Sequence, residues 1–118
     1  MDTLSPQERE ALQRLFRALR HFRAMMGPTV PTQVVQAFLA VALEEDKPLH
    51  EYAAELGTNL STASRHFMDL GDRNRWKAEG HMLIQRQRNP MNEREVLMSL
   101  SSQGRLMRRL VLETLQAT

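Results

Sequence analysis

Apolar residues set the frame of this chain. Leu12, Leu15, Phe16, Leu19, Phe22 and Met26 recur at spacings of three and four, one continuous stripe along a single long helix. Its start is written in Ser5-Pro6-Gln7-Glu8: the serine caps, the proline sits where no amide is needed, and the glutamate reaches back to the cap. Gly27-Pro28 ends it. A second helix is predicted after Pro31, carrying Val34, Val35, Phe38, Leu39, Ala42 and Leu43 and closing at Glu45. It is apolar over more than half its circumference, as a central helix should be. Lys47-Pro48-Leu49 reads as a short extended link, because the residue before a proline is pushed out of the helical region. A short third helix is predicted from His50 to Leu56, with Gly57 as its left-handed terminator.

Asn59 is placed to cap a fourth helix from Leu60 to Leu70. Ala63, Phe67 and Leu70 form its inward face, and Ser61, Arg65, Met68 and Asp72 lie opposite, with Thr62, Ser64 and Asp69 on the flanks. Residues Gly71 to Met82 read as irregular and polar apart from Trp76. Two short apolar runs, Leu83–Arg86 and Val96–Leu100, flank the turn-rich segment Gln87–Glu95 and predict an antiparallel hairpin. Ser101 or Ser102 then caps a last helix carrying Leu106, Met107, Leu110, Val111 and Leu115. No internal repeat or low-complexity tract interrupts the pattern. The expectation is one mainly α domain with a small β-hairpin, spanning residues 1–118.

Composition narrows the chemistry. The chain has 118 residues with no cysteine, which removes disulfides, thiolate metal sites and cysteine nucleophiles. No apolar run approaches the roughly 20 residues that span a bilayer, and Met1-Asp2-Thr3 does not begin a secretory signal. The reading is therefore a soluble, cytoplasmic protein. His21, His50, His66 and His81 are dispersed without ligand spacing, so no metal or other cofactor is expected. There is no Gly-rich phosphate loop, nucleophile elbow or HExxH element, and the carboxylates sit on predicted solvent faces. An enzyme is not expected.

Net charge is only +2, so its distribution matters more than its sum. Between Ser61 and Arg94, arginine and lysine outnumber acids by three. The arginines of the first helix, by contrast, are diluted by nearby acids and read as a solvated face. Helix, short helix, glycine turn, helix with a small polar outer face, then a basic hairpin is the order of a winged helix-turn-helix. The major groove admits one helix, and short side chains near its start allow close approach. Amides around Ser61 and Thr62 favour a phosphate. Arg65 can reach a guanine edge or a phosphate, and Arg86, Arg88 and Arg94 on the hairpin can follow the backbone or minor groove. Ser64 and His66 complete the candidate face. Arg86 or Arg88 can alternatively pair with Glu93 or Glu95.

Several segments are similar to those of the MarR family of bacterial regulators. Leu49-His50-Glu51-Tyr52-Ala53-Ala54-Glu55-Leu56-Gly57 followed by Ser61-Thr62-Ala63-Ser64-Arg65-His66 resembles that family's helix-turn-helix. Arg86-Gln87-Arg88-Asn89-Pro90-Met91-Asn92-Glu93-Arg94 resembles its wing, R-x-x-D-P-x-D-x-R, with asparagine in place of both aspartates. Leu100-Ser101-Ser102-Gln103-Gly104 resembles the L-T-x-x-G that follows. The resemblance runs from about Val34 to Arg109. It implies a homodimeric transcriptional regulator, often a repressor, on a pseudo-palindromic operator in double-stranded DNA. The helix at Leu60–Leu70 would enter the major groove and Arg94 the minor groove. Residues 31–100 would be the DNA-binding core, and the helices at 5–27 and 102–117 would dimerise through Leu12, Leu15, Phe16, Leu19, Phe22, Leu110, Val111 and Leu115. Such stripes suit an interface of roughly 1,000 Å² or more.

The connection from Leu70 to Arg86 is about eight residues longer than the family's, and the C-terminal region is shorter. The family's small-molecule effector pocket is therefore not carried over. In the longer connection, Arg73, Arg75 and Lys77 around Trp76 extend the candidate duplex contact; Trp76 either stacks or closes the turn as core. Two rival readings stand beside the regulator: a phage or plasmid replication, partition or packaging factor using the same module, and a winged-helix protein-interaction module without DNA. Asp69 and Asp72 give the latter some weight.

Overall fold

The computed structural model describes residues 2–72 and 79–117. Its order is α1 (Pro6–Met26), α2 (Thr32–Leu43), β1 (Lys47–Pro48), α3 (Leu49–Leu56), α4 (Leu60–Leu70), β2 (Ile84–Asn89), β3 (Asn92–Leu100) and α5 (Ser102–Gln116). The mainly helical class with a small antiparallel sheet is as expected. α1 starts with the full reciprocal cap: Ser5 Oγ accepts the Glu8 N–H at 3.1 Å and Glu8 Oε1 accepts the Ser5 N–H at 2.8 Å. The Ser5 N–H, with the Ser5 hydroxyl beside it, holds the Glu8 carboxyl below its ordinary pKa. The helix ends at Gly27, whose φ of 99° excludes most side chains.

α2 is the central element, packed against α3, α4, β3 and α5. Val34, Ala37, Phe38 and Val41 on it are buried. Phe38 meets Phe22 of α1 edge to face at 5.9 Å, and Tyr52 of α3 packs on Phe67 of α4 at 5.5 Å. Two features of the sequence reading change here. Phe22 and Val111, expected in a dimerisation stripe, are buried in this chain's own core. α1 therefore divides along its length: Ala18, Phe22 and Met26 are covered, while Leu12, Leu15, Phe16 and Leu19 remain about half exposed.

The second change is the sheet. The expected hairpin is a three-stranded sheet in the order β1-β3-β2, because Lys47 and Pro48 pair with Met98 and Leu97. The extended link is thus an edge strand. Asp46, at a φ of 64°, turns the chain into it and donates its N–H to the Met98 carbonyl at 2.7 Å. Tyr52 secures this strand, donating its hydroxyl to the Glu44 carbonyl at 2.7 Å and accepting the Lys47 N–H at 3.3 Å. Lys47 lies over the Tyr52 ring and pairs with Glu44 and Glu55. The two hairpin strands also run further than their apolar cores, narrowing the turn to Pro90-Met91.

Ser101 caps α5, which settles the choice: its hydroxyl accepts the Gly104 N–H at 3.0 Å and donates to the Met82 carbonyl at 2.6 Å. The helix lies along α1, joined by a His21–Thr114 hydrogen bond at 3.0 Å and by Arg14 reaching the Leu115 and Ala117 carbonyls. No helix is long and apolar enough to cross a membrane among the described residues.

Candidate nucleic-acid interface

The turn between α3 and α4 is built as its sequence requires. Gly57 adopts a left-handed φ of 67° and donates to the Ala54 carbonyl, and Thr58 donates to that of Ala53. Asn59 Oδ1 then accepts the Thr62 N–H at 2.7 Å, which fixes the first turn of α4. Ala63, Phe67 and Leu70 are fully buried, so the opposite face is free to meet a partner. Ser61 and Arg65 are exposed on it, and Thr62 and Ser64 are half-buried on its flanks.

His66 takes a different place from the other candidates. Its Nε2 is 2.9 Å from Gln33 Oε1 at the start of α2, so the ring ties α4 to the neighbouring helix. Asp69 and Asp72 lie at the far end of α4 from Ser61, leaving the N-terminal half of the outer face without a carboxylate.

Register organises the wing. Ile84 pairs with Leu100, Arg86 with Met98 and Arg88 with Val96, so these six side chains share one side of the sheet. That side is apolar where it meets the core and becomes cationic where it leaves it. A shift in pairing after Arg88 breaks the alternation at the tip. There the two asparagines hold backbone: Asn89 Oδ1 accepts the Met91 N–H at 3.0 Å, and Asn92 Oδ1 accepts the Arg94 N–H at 3.2 Å. The Asn89 amide also donates to Glu95 Oε1 at 2.8 Å, a bond an aspartate could not make. With Glu95 so engaged, Arg65, Arg86, Arg88 and Arg94 form no ion pair among the described residues.

Helix and wing together enclose a groove of about 430 Å³, into which Ser64, Arg86 and Arg94 all face. His50 and Leu60 line it too. Neither is a candidate from sequence alone, although an apolar residue opening a polar helix, as Leu60 does, is a signal of an unusual surface; it is 53% exposed.

The longer connection is clasped at its base. Gly80 donates to the Asp72 carbonyl at 3.0 Å, His81 to Asp69, Met82 to Gly71 and Leu83 to Leu70. A Cβ on Gly80 would lie 2.2 Å from the Gly71 carbonyl oxygen, so only glycine permits the approach. Arg73, Arg75, Trp76 and Lys77 lie outside the described residues.

No protein-family model matches the chain, and no curated protein matches it. Solved structures do. A mutant MarR from E. coli complexed with operator DNA aligns with a TM-score of 0.62 at 15% identity, covering 94% of this chain and 74% of that one. A probable transcriptional regulator from Pseudomonas aeruginosa aligns at 0.59 and 23%, covering 87% and 71%. The fold is that of the MarR family. The transcriptional repressor CouR, bound to a 23-mer DNA duplex, aligns over 98% of this chain and 81% of its own at 20% identity and a TM-score of 0.59. The MarR-like fold matches what the resemblance in residues 34–109 implied, and the shared architecture extends to α1 and α5.

Proposed function

We propose that this chain is a sequence-specific double-stranded DNA-binding transcriptional regulator, a cytoplasmic homodimer that represses by occluding a promoter. One observation carries the reading: Ser64, Arg86 and Arg94 converge on a single groove between α4 and the wing, beside the exposed Arg65. None of the three arginines is neutralised by an ion pair among the described residues, so each is available to phosphate or base. Ser61, Thr62 and Ser64 keep the start of α4 slim enough for close approach to a major groove. Arg88 adds a phosphate contact, and Arg94 reads the minor groove. His66 acts through its hold on α2.

The dimer reading rests on surface. Leu12, Leu15, Phe16 and Leu19 on α1, with Leu110 and Leu115 on α5, leave apolar side chains 39–63% exposed on two helices that pack together. Burying such a patch against a second copy removes it from water. Residues 5–27 and 102–117 then form the interface, and 31–100 the duplex-binding core. A twofold dimer presents its two α4 helices about one duplex turn, roughly 34 Å, apart.

Selection of bound fragments from random duplexes tests the proposal. A pseudo-palindrome with half-sites one turn apart is the expected product. Absence of any enriched duplex, together with binding that does not weaken as salt rises, would overturn it.

A further inference from the structure

The tip of the wing carries chemistry that phosphate binding does not use. Met91 is 93% exposed, and Pro90 beside it is exposed as well. Proline has no N–H and methionine offers only a weakly accepting thioether, so neither attracts a phosphate. The tip is nevertheless fixed, because Asn89 Oδ1 holds the Met91 N–H and Asn92 Oδ1 holds that of Arg94. Exposed Arg88 and Arg94 stand on either side of it.

Resting on the reading of the chain as a duplex-binding regulator, we infer that Pro90-Met91 is an apolar wedge entering the minor groove, with Met91 seated between base steps, Arg94 in the groove beside it and Arg88 anchored on the flanking backbone. Reach permits it. The last buried residue of β2 is Ile84, and from there to Asn89 the strand projects about 16 Å at 3.3 Å per residue, roughly twice the depth of a minor groove. Chemistry favours it too, since an apolar side chain pushed between bases unstacks them and bends the duplex towards more protein surface. Flexible pyrimidine–purine steps yield most readily, so the wedge adds sequence preference at a step that α4 never touches.

The test uses the full chain and its best selected duplex, with 2-aminopurine placed at successive positions under the wing. Wild type is expected to raise the fluorescence at one step, reporting an unstacked base. Met91→Ser should abolish that rise and weaken binding about tenfold, and Met91→Leu should keep both. Arg65→Ala serves as the control on the underlying reading. If wild type binds, Arg65→Ala weakens it, and Met91→Ser changes neither affinity nor fluorescence, the wedge is wrong and the regulator stands. If wild type binds no duplex, both fall.

Discussion

The carboxylate of Glu45 accepts the backbone N–H of Leu100 through Oε1 at 2.8 Å. Its other oxygen lies 3.5 Å from Arg108 Nη1, which also donates to the Ala42 carbonyl at 3.1 Å. One side chain therefore joins the end of α2, the root of the wing and α5. Leu100 is fully buried, so its amide has no water to fall back on. Glu45→Ala is expected to cost about 1–3 kcal/mol in urea denaturation. Glu45→Gln, which keeps an acceptor, should cost less, because the Arg108 pair is partly solvated and contributes little.

Gly104 gives a test in which packing and helix propensity predict opposite signs. It lies in α5, where alanine is ordinarily favoured by about 1 kcal/mol. A Cβ there would sit 2.0 Å from the Leu83 carbonyl oxygen, which is backbone and cannot step aside. Gly104→Ala should therefore destabilise by about 3 kcal/mol or more, read as a fall in Tm. A rise in Tm would show that α5 does not lie this close to the start of β2.

The arginines should separate by role in duplex titrations at fixed salt. Arg65→Ala is expected to lose roughly 1–3 kcal/mol and relax base choice at one position of each half-site. Arg94→Ala should weaken binding most at sites with a narrow minor groove. Arg88→Ala should lower affinity evenly across sequences and flatten the salt dependence.

Asn89→Asp would supply the aspartate of the wing pattern that this segment resembles, yet it should weaken this wing. The new carboxylate cannot donate to Glu95 and would stand beside it as a like charge. A loss of about 1 kcal/mol in stability is expected, with weaker duplex binding. Unchanged affinity would show that the Asn89–Glu95 bond does not shape the tip.

His81, between α4 and β2, predicts a fold that loses stability in acid. Burial holds its imidazole below the ordinary value of 6.5, partly offset by Asp69. The unfolded chain therefore binds more protons than the folded one near and below that pH, and stability should decline as pH falls below about 6.5. His81→Gln should flatten this limb of a stability–pH profile. An identical profile for both chains would remove His81 as the cause.

Much of the frame is legible in sequence because it is local. Ser5 with Glu8, Asn59 before Leu60, and Gly57 between two helices each act within a few residues, and the structure uses all of them. What depends on distant partners is not. Lys47-Pro48 has no strand signature of its own and becomes one by pairing with β3 some fifty residues on. The stripe on α1 shows that Phe22 will be covered but not by what, and Phe38 covers it from within the same chain. The bond from His66 to Gln33 depends on how α2 crosses α4, and the groove role of Leu60 depends on where the wing folds back.

Four successive hydrogen bonds lock the path out of α4 to the path into β2, from Asp72–Gly80 down to Leu70–Leu83. The segment between Asp72 and Gly80 therefore starts and ends at a base closed by backbone hydrogen bonds alone. Its length and composition can drift, or be exchanged by design, while the span from Arg65 to Arg86 stays set by the clasp beneath it. Under the proposed reading, specificity can be retuned at that point without re-engineering either α4 or the wing.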